Sequence, residues 1–314
     1  MIYVIYLILA AAVTLLSIKA SDYVDLLDKK TRLSGAFIGG ILLSAVTSLP
    51  ELFTSISSTL FLNAPELCLG NILGSDLFNV AFFSVIVLVC LRRFLQGTIS
   101  KNHAVILALV LVCYAALAAN AFGILRVEFW SISITSVIIL ICYLLSIRFL
   151  SGEGGEEDEE TTSPLTLKQI IVRFVLVSIG IVVTSILITY ATDAISDRLH
   201  LAQGFAGALL LGVATSLPEL SSTIALFRIG NYDIAVGNIV GSNIFNLLIL
   251  VVADILYVGS GLYTFSDPST QALMLCGAVA MVSTLALLRF RGRVLTAVCA
   301  VVTTVSYLVF LLVG

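Results

Sequence analysis

The chain has 314 residues, of which 60% are hydrophobic and only 11% charged, and its mean hydropathy is +1.14. That composition excludes a soluble globular enzyme and predicts an integral membrane protein. With a formal net charge of −3, no nucleic-acid partner is expected.

Apolar runs long enough to cross about 30 Å of hydrocarbon lie near 2–19, 34–62, 66–91, 103–120, 128–150, 168–192, 202–227, 233–258, 270–289 and 294–313. They predict ten transmembrane helices and an all-α fold. The first run has no basic residue before it and no small-residue cleavage site, so it reads as a retained helix, not a signal peptide. With the N-terminus outside, 14 of the 16 Lys and Arg residues fall at inner ends or loops, and only Arg126 and Arg198 fall outside. This asymmetry predicts both termini outside, in a multi-pass protein of the plasma (cell) membrane.

After the fifth run comes the one strongly hydrophilic stretch, Ser151 to Pro164, Gly-rich and carrying six acidic residues (Glu153, Glu156, Glu157, Asp158, Glu159, Glu160). It lacks the ligand alternation of an EF-hand and reads as a cytoplasmic linker. The predicted organisation is a first five-helix repeat over 1–150, the linker over 151–165 and a second five-helix repeat over 166–314. The six cysteines are scattered singly through apolar runs and read as small buried hydrophobes. His103 and His200 fall at helix ends and form no motif.

The two halves share two motifs. Thr47-Ser-Leu-Pro-Glu-Leu52 recurs as Thr215-Ser-Leu-Pro-Glu-Leu220, and Gly70-Asn-Ile-Leu-Gly-Ser-Asp-Leu-Phe-Asn79 recurs as Gly237-Asn-Ile-Val-Gly-Ser-Asn-Ile-Phe-Asn246. The motif regions span 39–79 and 207–246. Equivalent positions are five spans apart, so the copies cross the bilayer in opposite directions, as inverted repeats suited to alternating access.

A Glu beside a Pro within a span is costly, about 2.5–3.5 kcal/mol at the helix centre, and so marks function. Residues four apart share a helix face, which aligns Thr47 with Glu51 and Thr215 with Glu219. Pro50 and Pro218 should break helices two and seven and release carbonyl oxygens near the Thr residues. Asn71, Ser75 and Asn79 form one stripe on helix three, mirrored by Asn238, Ser242 and Asn246 on helix eight; glycines beside the stripes predict close packing. Every candidate donor is an oxygen, which suits Ca²⁺, Na⁺ or Mg²⁺ and not Zn²⁺ or Cu²⁺. For a single Ser or Thr the ordinary explanation is interhelical hydrogen bonding, but duplicated carboxylates are not explained by packing.

The doubled Thr-Ser-x-Pro-Glu and Gly-Asn-x-x-Gly-Ser-x-x-Phe-Asn pattern resembles the two alpha repeats of sodium/calcium exchangers in the cation/calcium antiporter superfamily. The resemblance implies broken helices 2, 3, 7 and 8 around an ion-binding core. The metal site it implies is Glu51, Glu219, Thr47, Thr215, Ser75, Ser242, Asn79 and Asn246, with Ser48, Ser216 and Asp76 as additional lining residues. It implies exchange of Ca²⁺ for Na⁺, with those ions and the bilayer as partners and no cofactor beyond the transported ions; a monomer and no enzymatic activity are expected. Asn at 246, where potassium-dependent relatives carry Asp, implies no potassium requirement. Asp76 departs from the Asn usual at its position. It is turned about 100° off the stripe and is expected to reach a neighbouring helix. Asp254 lies two turns beyond Asn246 on the same face.

Two ionised glutamates match one Ca²⁺ or two Na⁺, and an empty site leaves both unpaired, which disfavours movement without cargo. The first and sixth helices are expected to slide against the other eight. A proton-coupled Ca²⁺ antiporter of the same superfamily stays open, because the same carboxylates can carry H⁺. A channel needs a continuous pore, which occluding carboxylates on broken helices oppose. No His-Glu-x-x-His or Gly-x-Ser-x-Gly motif points to an intramembrane enzyme.

Overall fold

The computed structural model describes residues 1–31, 47–129, 132–150, 165–258 and 261–314. The first part of the 39–79 motif and the 151–164 linker lie outside the described residues. In chain order the helices are α1 (Ile2–Thr31), α2 (Leu49–Ile56, continuing into a π-helical turn over Ser57–Phe61), α3 (Pro65–Val89), α4 (Leu91–Gln96), α5 (Lys101–Ala121), α6 (Ile134–Leu150) and α7 (Leu167–Leu199). Then come α8 (Gln203–Ala206), a π-helical stretch over Gly207–Gly212, α9 (Val213–Ile229), α10 (Tyr232–Leu256), α11 (Pro268–Arg289) and α12 (Arg293–Val313).

Local chemistry sets these ends. Pro65 opens α3, where a missing N–H costs nothing. Thr166 and Gln169 form a reciprocal capping box on α7. Asp267 Oδ1 accepts from Ser269 N at 2.9 Å ahead of Pro268, and Gly230, at φ 82°, closes α9 in the left-handed region.

Among the described residues eight helices are long and apolar enough to cross a membrane: α1, α3, α5, α7, the 203–229 run, α10, α11 and α12. The α6 helix has 17 residues, and the second predicted span is described only from residue 47 onward. Length alone therefore gives eight spans against the ten expected. The fifth predicted span also starts late. Glu128–Phe129 and Ile132–Ser133 pair as a short antiparallel hairpin, β1 and β2, because Asp254 Oδ2 draws in Ser133 N at 2.9 Å and Ser136 Oγ at 2.7 Å.

The expected breaks in helices three and eight are absent: α3 and α10 are each 25 residues of unbroken α-helix. Neither has an internal proline, and their glycines are used for packing. Irregularity falls instead in the neighbouring elements. Ser48 is a non-helical turn before Pro50, and the π-helical stretch lies ahead of Thr215.

The α3 and α10 helices form the buried centre, surrounded by α5, α6, α11 and α12 in one continuous apolar core. The α1 and α7 helices pack side by side at the edge, joined to the rest by small clusters around Ala10, Ile188 and Leu211 and around Ala20 and Ile181. The loops sort into two ends. At one, Tyr257 OH donates to Asn63 Oδ1 at 2.7 Å and Gly204 N to Asp267 Oδ2 at 2.9 Å. At the other, Asp233 Oδ1 meets Ser100 N at 2.7 Å and His103 Nε2 at 2.9 Å, and Arg291 caps the Phe94 and Gly97 carbonyls.

Glu66 ties the first end together. Its Oε1 accepts from Thr264 Oγ1 at 2.7 Å, Ser266 N at 2.6 Å and Ser266 Oγ at 2.7 Å, and its Oε2 from Thr270 Oγ1 at 2.7 Å. Glu66→Ala strands these donors together, so it is expected to destabilise the protein by about 3 kcal/mol, read as a lower thermal midpoint of the detergent-solubilised protein.

Candidate ion-binding site

The site forms where α2, entered through the turn at Ser48, and α9, which follows the π-helical stretch, cross the straight pair α3 and α10. The break expected at Pro218 is absent, since α9 runs as α-helix through it. Thr47, Ser48, Glu51, Ser75, Asp76, Asn79, Thr215, Ser216, Glu219, Ser242, Asn243 and Asn246 are all buried, none more than 2% exposed. The repeats serve each other. The Thr215 and Ser216 hydroxyls stand beside the Glu51 carboxylate, and the Thr47 and Ser48 hydroxyls stand beside that of Glu219. The two carboxylates lie close enough for their charges to interact.

The glutamate backbones are braced the same way in both halves. Asn71 Nδ2 donates to Ser55 Oγ at 3.0 Å and Thr54 Oγ1 at 2.9 Å, reaching Glu51 O at 3.4 Å. Asn238 Nδ2 donates to Glu219 O and to Thr223 Oγ1, both at 3.2 Å. The first Asn of each stripe thus fixes the height of a glutamate. Thr54, Ser55 and Thr223 were not among the residues singled out by sequence, although their three- and four-residue spacing from the glutamates was available as a signal.

Pro218 has no N–H, so Ala214 O loses its helical partner. Thr14 Oγ1 of α1 comes no closer than 3.5 Å to it and gives its one hydrogen to Ala10 O of its own helix at 2.8 Å. Neighbouring carbonyls are capped: Tyr6 OH donates to Leu210 O at 2.7 Å, Thr215 Oγ1 to Leu211 O at 3.0 Å and Ser75 Oγ to Gly212 O at 3.2 Å. In the other half Ser17 Oγ donates to Thr47 O at 3.3 Å. Most carbonyls around the two prolines are therefore engaged by hydroxyls, two of them, Tyr6 and Ser17, from α1, while Ala214 O has only the long approach of Thr14. Each carbonyl keeps a second lone pair.

Side-chain oxygens are the freer donors. Among the described residues, 15 buried side-chain polar atoms lack a hydrogen-bond partner, and eight of these belong to the repeated motifs: Ser48 Oγ, Glu51 Oε2, Asn71 Oδ1, Ser216 Oγ, both carboxylate oxygens of Glu219, Ser242 Oγ and Asn246 Oδ1. Unpartnered oxygens at this density are costly unless a ligand takes them up. A hard cation is the matching ligand. Asp76 sits to one side, its carboxylate bonded to Asn246 Nδ2 at 3.1 Å and facing Tyr114 OH at 3.5 Å. Asp254 belongs to the hairpin anchor described above.

The profile of the family described as sodium/calcium exchanger protein matches residues 1–151 and 169–313. The chain belongs to this family. It is thus a multi-pass membrane exchanger and not an enzyme. An uncharacterised membrane protein of Methanocaldococcus jannaschii is 26% identical over 213 residues, which is 67% of each chain. The solved H⁺/Ca²⁺ exchanger CAX matches with a TM-score of 0.72 at 13% identity, over 99% of this chain and 87% of its own. The sodium-calcium exchanger NCX_Mj matches with a TM-score of 0.63 at 19% identity, over 99% of both. At these identities the likeness establishes the shared exchanger fold.

Proposed function

We propose that this exchanger moves Ca²⁺ against Na⁺ by alternating access, binding either ion between Glu51 and Glu219 near the middle of the bilayer. The observation that carries the reading is the crossed arrangement of the two acids, each lying among the Thr and Ser hydroxyls of the other repeat, with eight buried motif oxygens left for a cation. Two negative charges balance one Ca²⁺ or two Na⁺, so the ions compete for one set of oxygens. An unloaded site strands both charges in a low dielectric, and that penalty couples the two half-cycles.

The remaining ligands are Thr47, Thr215, Ser75, Ser242, Asn79 and Asn246, with Ser48 and Ser216 lining the site. The charge distribution and the doubled motifs support a ten-span arrangement as two inverted five-helix repeats, with both termini outside and the linker cytoplasmic. The α1 and α7 helices are the moving pair. Their small contact clusters and the exchangeable hydroxyl caps of α1 support a sliding motion.

Proton coupling is the competing reading, since an H⁺/Ca²⁺ exchanger shares this fold. Uptake of ⁴⁵Ca²⁺ into proteoliposomes under imposed Na⁺, K⁺ or pH gradients decides between them. An outward Na⁺ gradient is expected to drive uptake with pH clamped and K⁺ absent. Uptake driven by pH alone would replace Na⁺ with H⁺, and flux without any counter-ion would make the protein a channel.

A further inference from the structure

The two Gly-Ser-x-x-Phe-Asn motifs touch through a pair of equivalent hydrogen bonds. Asn79 Nδ2 donates to Asn243 Oδ1, and Asn246 Nδ2 donates to Asp76 Oδ1, both at 3.1 Å. By motif register Asn79 corresponds to Asn246, and Asp76 to Asn243. The equivalence ends at the next atom. Asn243 Nδ2 donates to the Asp76 backbone carbonyl at 3.2 Å, with Met281 Sδ at 3.8 Å, whereas Asp76 Oδ2 faces Tyr114 OH at 3.5 Å. Asp76 therefore anchors both motif asparagines: Asn246 through its side chain, and Asn79 through its carbonyl and Asn243.

The consequence lies in which end of each amide faces the site. A carboxamide is nearly the same shape either way round, with an oxygen acceptor at one end and an N–H donor at the other. Only the oxygen end can bind a cation. The Oδ1 of Asp76 has no hydrogen to give while it accepts, so it takes the N–H end of Asn246 and turns Asn246 Oδ1 away. That oxygen is buried and unpartnered. The Asp76 carbonyl imposes the same choice on Asn243, whose oxygen then holds the Asn79 amide by its N–H. An Asn at 76 would offer either end of its own amide and leave Asn246 free to present its N–H to the ion.

We propose that Asp76 is a positioning residue that locks the carboxamides of Asn246 and Asn79 with their oxygens toward the transported divalent cation. This rests on the exchange reading above. It also gives a local reason for an acid at position 76 where the second repeat has an amide.

The test is the Ca²⁺ dependence of ⁴⁵Ca²⁺ uptake in proteoliposomes for the wild type, D76N, D76N/N246D and E219Q, each verified as monodisperse in detergent. Outer ligand-orienting groups are worth about 10- to 100-fold in metal affinity. D76N is expected to raise KM for Ca²⁺ by about that factor while changing the maximal rate far less. D76N/N246D is expected to restore a low KM, because a carboxylate at 246 accepts at both oxygens and needs no orienting. An unchanged KM in D76N, or a double variant no better than D76N, overturns the proposal. Should D76N not fold, D76A removes the same carboxylate acceptor: a raised KM in D76A supports the proposal, and an unchanged one overturns it. Uptake lost in E219Q but unaltered in D76N defeats this inference alone, whereas a wild type with no Ca²⁺ uptake under any gradient defeats the exchange reading together with it.

Discussion

Glu51→Gln and Glu219→Gln are each expected to abolish Ca²⁺ exchange while leaving a folded, monodisperse protein. The substitution keeps the shape of the side chain and removes one of the two charges among the proposed ligands, the rest of which are neutral hydroxyls and amides. Two unit charges 4 Å apart interact by about 4 kcal/mol at an effective dielectric of 20, and a divalent cargo roughly doubles that. At about 1.4 kcal/mol per decade, affinity falls by three decades or more. Each Gln also turns an N–H toward hydroxyls arranged around an acceptor. Measured ⁴⁵Ca²⁺ flux within about tenfold of wild type in either variant would remove that glutamate from the binding site. With both acids on one ion, as proposed, the double variant is expected to be no worse than either single one, a non-additivity typical of groups that act as a unit.

The pieces of this site were readable in the sequence, but their mutual contacts were not. A duplicated Pro-Glu inside an apolar run stands out because hydrocarbon penalises it, and the four-residue spacing of Thr47 with Glu51 needs only helix geometry. The crossing, in which Thr215 and Ser216 serve Glu51, joins residues more than 160 positions apart and arises from packing α2 and α9 against the α3 and α10 pair. The pairing of 128–129 with 132–133 was hidden because these residues run straight into those of α6, so hydropathy saw one span where Asp254 holds Ser133 in a short strand. Breaks were assigned to α3 and α10 by resemblance, yet without an internal proline nothing interrupts their backbone ladder. The π-helical stretch over Gly207–Gly212 leaves no mark in residue type. The hydroxyls of Tyr6, Thr14 and Ser17 do share one face of α1, but only the released carbonyls opposite them give that face a purpose.

Gly70→Val is expected to prevent stable folding, whereas Gly237→Ala, at the equivalent place in the second repeat, is expected to be tolerated. A Cβ at Gly70 would run into the backbone of Gly204, carbonyl included. Backbone cannot move aside as a side chain can, and overpacking a core already costs about 1–3 kcal/mol when side chains are able to yield. Here α3 lies directly on the chain that leads into the π-helical stretch, so any retreat would also shift Ser75 away from Gly212 O and Asn71 away from Glu51. At Gly237 the nearest atom to an added Cβ is His103 Cε1 at 3.0 Å, the edge of a ring in the first turn of α5, so a side chain and not backbone has to give way. Size-exclusion profiles of the two variants in detergent measure the difference directly, and a monodisperse, thermally unaltered Gly70→Val protein would contradict the backbone contact. The same motif glycine thus does two jobs: in the first repeat it lets backbone meet backbone beneath the ion site, and in the second it leaves space for a histidine that pairs with Asp233 at the far end of the bundle.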